Sequence, residues 1–147
     1  MEQLFLIAHV AGRTVAIEAE QVESVVDIGT IIEVPRATGH IRGLAALRSR
    51  VVTVIDTIAA LGMDRNGREP GRAVITRVDG HHYALLVDTL DDVAPFELQP
   101  MAQGIALTGA WRAAGRGLVQ RDGEPILVID LTALVPGQNS ANLAHVA

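Results

Sequence analysis

Two stretches of this chain carry nearly the same phrase. Residues 43–61 read GLAALRSRVVTVIDTIAAL and residues 117–135 read GLVQRDGEPILVIDLTALV. Placing Asp56 on Asp130, a lag of 74 residues (130 − 56), matches Gly43 with Gly117, Leu44 with Leu118, Val54 with Val128, Ile55 with Ile129 and Ala59 with Ala133. A second pair lies upstream of each. Placing Gly12 on Gly80, a lag of 68 (80 − 12), aligns FLIAHVAGRTVAIEAEQVESVV with AVITRVDGHHYALLVDTLDDVA, with Ile7 on Ile75, Val10 on Val78, Ala16 on Ala84 and Val25 on Val93. Two lags near half of 147 residues imply duplication of a unit of about 65 residues. Between the two registers the second half has gained six residues (74 − 68).

What each unit folds into follows from its texture. Apolar residues come in short runs rich in Val and Ile, separated by Gly, Pro, Asp and Asn, which favours many short strands over long helices. Strands are predicted over 3–10, 14–18, 21–27, 31–34, 43–47 and 51–55, and again over 73–78, 82–87, 89–94, 115–120 and 126–129. Ala11-Gly12 and Asp79-Gly80 supply the positive φ of tight hairpins. Asp56 and Asp130 each close an apolar strand and precede a short helical segment, where a carboxylate caps exposed amides. About five strands per unit are best protected from edge-to-edge pairing by closing each sheet on itself. The expectation is therefore all-β: two SH3-like five-stranded barrels packed side by side, with short helices. The first barrel is placed at 1–61, a linker at 62–71, the second barrel at 72–135 and a polar tail at 136–147. A unit this small buries only about 60% of its unfolded surface, so the barrels should need each other.

Several chemistries are excluded early. The chain has no Cys, so it forms no disulfide, thiolate nucleophile or cysteine zinc site. Its 12 basic residues are all Arg, which removes Schiff-base and phosphate-loop lysine chemistry. A net charge of −5 with scattered arginines argues against nucleic acid as a partner. No stretch approaches the roughly 20 unbroken apolar residues of a membrane helix, so direct membrane insertion is not expected and a cytoplasmic location is the default.

The remaining candidates are weak as reaction centres. His81 and His82 are adjacent on a strand and point to opposite faces, so they do not converge on one metal, and none is expected. The serines, Ser24, Ser49 and Ser140, sit in no nucleophile pattern. Asp91-Asp92 reads as solvated charge. GAWRAAGRG, residues 109–117, reads as a loop leading into a strand, with Trp111 a barrel plug rather than an exposed anchor. Arg48, at the tip between two strands, and Arg50 two residues on are left as side chains able to reach a partner.

At these residues the chain resembles the CheW-like chemotaxis coupling family, whose pattern, roughly GV-x-NLRG-x-VVPVIDL, is met by GLAALRSRVVTVIDT. The resemblance extends over the opening hairpin, the Val34-Pro35 step, RAVITRVDGHHYALLVDTLDDV and the closing GLVQRDGEPILVIDLTALV. Ala46, Ser49, Thr53 and Thr57 depart from the pattern's Asn, Gly, Pro and Leu. The resemblance implies a double barrel acting as a non-enzymatic adaptor without cofactor. It would couple the cytoplasmic tip of methyl-accepting chemoreceptors to the regulatory domain of a CheA-type histidine kinase, in chemotaxis or in a surface-motility system. It further implies kinase binding near Val22, Val25 and Gly43, a second surface on the other barrel, and receptor binding around Arg48, Ser49 and Arg50. The alternative kept beside it is a module binding a small ligand in the groove between the barrels.

Overall fold

A computed structural model describes residues 2–34, 40–47, 50–63, 71–100 and 109–135. In chain order the elements are β1 (Glu2–Val10), β2 (Arg13–Glu18), β3 (Ser24–Asp27), β4 (Ile41–Leu47), β5 (Arg50–Ile55), α1 (Thr57–Ala60), β6 (Arg72–Val78), β7 (His81–Val87), β8 (Thr89–Glu97), α2 (Gly109–Ala114), β9 (Gly115–Arg121) and β10 (Glu124–Ile129). Single 3-10 turns sit at Ala19–Gln21 and Leu131–Leu134. The hairpin turns have the expected chemistry. Ala11 and Gly12 have φ of 52° and 83°, Asp79 and Gly80 have 52° and 81°, and Asp122-Gly123 repeats the arrangement at 51° and 81°.

Ten strands form two five-stranded sheets, ordered β8-β1-β2-β10-β9 and β3-β6-β7-β5-β4. This corrects the expected division at 1–61 and 72–135, because each sheet takes strands from both halves. The hairpin of one half is inserted between the third strand and the closing strands of the other half. The duplication survives as register. The parallel pair β2–β10 joins Val15 to Leu127 and Ile17 to Ile129, while β7–β5 joins Tyr83 to Thr53 and Leu85 to Ile55. Shifting the hairpin residues by 68 and the closing residues by 74 converts one pairing into the other.

Among the described residues, each sheet closes through one bridge from the chain just past one end strand onto the other end strand. Ile32 and Leu44 exchange backbone hydrogen bonds of 2.8 Å in each direction, and Gln99 and Leu118 exchange bonds of 2.8 and 2.9 Å. The residues before the bridged leucines are the repeated glycines. A Cβ on Gly43 would collide with the Ile32 carbonyl, and one on Gly117 with the Gln99 carbonyl. Gly43 also has φ +153°, a conformation that side chains rarely adopt. Close backbone approach at the closure therefore explains why both copies keep glycine. The strand expected at 31–34 is reduced to this bridge at Ile32. The strand expected over 21–27 begins only at Ser24, because 19–21 turn as 3-10 helix.

Three apolar clusters hold the fold. Phe5, Ile7, Ala16, Val119, Ile126 and Val128 fill the first barrel, with Phe96 stacked against Phe5 at 6.2 Å between ring centroids. Ala45, Val52, Val54, Ile75, Ala84 and Leu86 fill the second. The largest cluster takes residues of both sheets, including Leu6, Val15, Ile17, Ile55, Val74, Leu85 and Ile129, and so lies between the barrels. Alternate residues of a strand face opposite sides, so Phe5 and Ile7 point into their barrel while Leu6 and Ala8 point to the neighbouring one. Burial on both faces is why β1 and β7 read as continuous apolar runs rather than alternating ones. Trp111 joins this middle cluster from α2, where a loop was expected, with the Arg13 guanidinium 4.9 Å from its ring. It plugs the seam between barrels, not a barrel interior. This core fills the space between the central strands of the two sheets.

Candidate docking surface

β3 and β4 are the two end strands of their sheet. The chain running on from β3 meets β4 at the Ile32–Leu44 bridge, and β3 and β4 themselves flank a groove of about 660 Å³. Val25, Ala46, Leu47 and Val52 line it, and Glu23 and Arg50 stand at its rim. The other barrel shows why the groove is open. There the carboxylate of Asp91, the counterpart of Glu23 at a lag of 68, receives Arg121 at 3.3 Å. Arg121 is itself the counterpart of Leu47 at a lag of 74. Where one barrel has an ion pair across its end strands, the other has leucine, and no ion pair crosses there between β3 and β4 among the described residues.

The sequence-derived site residues fall into three groups. Val25 and Arg50 meet at this groove. Val22 is half-buried against the inter-barrel core and does not line the groove. Gly43 is buried at the barrel closure and offers no surface of its own. Arg48 and Ser49 lie outside the described residues. Sequence reasoning missed Ala46, Leu47 and the rim partner Glu23. The substitution of Leu47 for the arginine of the second copy was the signal that could have found the groove.

The rim is a compact charged cluster. Arg50 Nη1 lies 2.7 Å from His82 Nε2 and 3.5 Å from Glu23 Oε1, and His82 Nε2 lies 3.0 Å from that same oxygen. His82 is thus engaged by groups from two other segments. The first barrel has a related cluster, where His9 Nε2 sits 3.1 Å from Asp91 Oδ2 and His9 Nδ1 3.2 Å from Thr14 Oγ1. The hydrogen bond with His9, with help from Arg121, holds the Asp91 carboxyl below its usual range although desolvation opposes it.

Both capping aspartates do what their position dictates. Asp56 Oδ1 accepts from the Ala59 amide at 3.1 Å, and Asp130 Oδ1 accepts from the Thr132 amide at 3.0 Å. Asp130 also receives the Gln21 side-chain amide at 2.6 Å, while Gln21 Oε1 accepts from the Leu131 amide at 2.9 Å. Gln21 thereby clamps the crossover from β2 to β3 onto the end of β10. Burial raises the Asp130 carboxyl, but the hydrogen bonds from Thr132 and Gln21 and the charge of Arg116 outweigh it, and the group is held low. Among the described residues no group of three or more His, Asp or Glu side chains is arranged to hold a metal ion.

Exposed apolar side chains occur on both barrels. Val51 is 64% exposed beside Ala46 across β4–β5, and Leu4 and Val93 are 53% and 52% exposed on the paired strands β1 and β8. Among the described residues no helix is long and apolar enough to cross a membrane.

A family model, the CheW-like domain, matches residues 4–138. The chain belongs to the CheW-like domain family. Chemotaxis protein CheW of Thermotoga maritima is 23% identical over 126 residues, covering 84% of this chain and 81% of that protein. The crystal structure of scaffolding protein TtCheW from Thermoanaerobacter tengcongensis superposes with a TM-score of 0.79 at 24% identity, over 94% of this chain and 97% of that one. The double-barrel fold of this CheW-like chain is thereby shown. The first of these relatives is a chemotaxis protein and the second a scaffolding protein.

Proposed function

We propose that this CheW-like domain is a cytoplasmic adaptor coupling chemoreceptors to a CheA-type histidine kinase. The observation that carries the reading is the open apolar groove between β3 and β4, which gathers Val25 and Arg50 beside exposed Val51. Val25 and the groove floor supply an apolar contact for the kinase regulatory domain, and Val22, half-buried against the inter-barrel core, holds the segment before β3 in place. Arg50, with Arg48 and Ser49 on the same β4–β5 connection, supplies the receptor contact. A body with separate faces raises the effective concentration of one bound partner for the other. Receptor conformation then alters kinase geometry through differential binding.

Calorimetric titration of the chain with the regulatory domain of a CheA-type kinase from the same organism tests this. Ala46→Arg fills the groove from an exposed position and should weaken kinase binding at least about tenfold, or about 1.4 kcal/mol. Val25→Asp should do the same in protein whose melting curve shows it folded. Arg50→Glu should weaken binding of receptor-tip fragments instead. Unchanged affinities for all three variants, or no binding by the parent, would refute the assignment.

A further inference from the structure

Arg50, His82 and Glu23 form a triangle whose three sides cannot all be hydrogen bonds at once. One ring nitrogen, His82 Nε2, stands 2.7 Å from Arg50 Nη1 and 3.0 Å from Glu23 Oε1. A guanidinium only donates and a carboxylate only accepts. With a lone pair at Nε2 the ring accepts from Arg50; with a proton there it donates to Glu23 and has nothing to offer the arginine. The first barrel shows the contrast. His9 meets Asp91 through Nε2 and Thr14 through Nδ1, so a neutral ring satisfies both partners at separate atoms.

We infer that His82 is a proton-operated latch on Arg50, holding the guanidinium against the barrel when neutral and releasing it to the groove rim when protonated. The imidazolium carries hydrogen on both nitrogens, so protonation forces Nε2 onto Glu23 and sets a like charge beside Arg50. Among the described residues, four charged groups surround the ring, two of each sign. Glu23 stands before β3, Arg50 on β5, Arg77 opposite His82 on β6, and Glu20 in the 3-10 turn lining the same depression as Glu23 and Arg77. His81, on the same strand, is exposed. Glu23 keeps one carboxylate for two cations, and at 3.0 against 3.5 Å the protonated ring is the nearer claimant. The consequence for receptor docking rests on the role proposed above for Arg50, but the latch itself stands on the triangle alone.

NMR on the intact, partner-free chain reads it directly. The guanidinium cross-peaks of Arg50 and Arg121 and the ring resonances of His9 and His82 are followed from about pH 8 to about pH 5. The Arg50 signal should move through the same midpoint as the His82 ring and lose its protection from solvent exchange. Arg121, which donates to a carboxylate, should keep its protection over the same range. In His82→Gln the Arg50 signal should no longer follow pH. An Arg50 signal that stays fixed in the parent, or that moves equally in His82→Gln, overturns the inference. Neither outcome depends on whether kinase or receptor binds, so failure of the latch and failure of the adaptor reading are separable.

Discussion

Replacing Gly117 with alanine places a methyl group against the Gln99 carbonyl and 3.0 Å from Leu98 Cδ1. The side chain can turn away, but the carbonyl is pinned, since it accepts from the Leu118 amide at 2.9 Å. Relief therefore requires opening the bridge and losing two backbone hydrogen bonds, at about 1 kcal/mol each. With imperfect repacking around Leu98 the cost is roughly 2–3 kcal/mol, a large fraction of a typical stability of roughly 5–15 kcal/mol. Gly43→Ala breaks the equivalent bridge and also forces alanine to φ +153°, which adds roughly 1–3 kcal/mol of backbone strain. Gly29→Ala is the control, because its added methyl meets nothing within 4 Å and its φ is ordinary. Urea denaturation followed by far-UV circular dichroism measures all three, and the expected order of loss is Gly43→Ala, then Gly117→Ala, with Gly29→Ala near zero. For a chain of this size the Gly117→Ala melting temperature should fall by roughly 5–10 °C. If Gly117→Ala lies within about 0.5 kcal/mol of Gly29→Ala, closure by close backbone approach is wrong. The same reasoning reinterprets any loss of kinase binding in a Gly43 variant as loss of the barrel rather than of a contact.

Two further outcomes follow from polar groups in the core. Thr57 is buried with its hydroxyl unpaired among the described residues, and its counterpart Leu131 is a core residue, so Thr57→Val should stabilise by about 1 kcal/mol in the same urea assay; a loss of that size would show that the hydroxyl is bonded. Asp130 is held below the ordinary 3.8, so its contribution is complete above that value and disappears as pH falls through the lower folded-state value. Asp130→Asn, which keeps a capping oxygen, should flatten the fall of the urea midpoint between about pH 4 and about pH 2; an acid limb as steep as the parent's would contradict this.

The strands were legible because their turns are written in specific chemistry. Asp79-Gly80 can do little but reverse a chain, and Asp56 and Asp130 end strands where a cap is required. The interleaving was not legible. Repeats reveal which residues are equivalent, but nothing in Val15 or Leu127 announces that these two pair across the halves, since any β-branched or leucine strand would satisfy the same neighbour. Ile31 to Val34 has strand composition, yet the chain crosses the barrel end there and finds one partner at Leu44. Gly43 was seen to recur as Gly117, but recurrence alone does not separate a docking face from a steric requirement. The groove was half visible. Val25 came from the family resemblance and Arg50 from its place two residues after Arg48, whereas the gap between them opens at Leu47, where the second copy has Arg121 bridging its end strands.

Because every sheet is woven from both halves of the chain, the two barrels are not modules that evolution can trade separately. A truncation that removes either half strips strands from both cylinders at once, so no half-length version keeps an intact barrel. A half-length ancestor would have had to lend its hairpin to a twin, and joining the two into one polypeptide made that loan permanent. For a scaffold, the bond between its two ends is then as covalent as the chain itself.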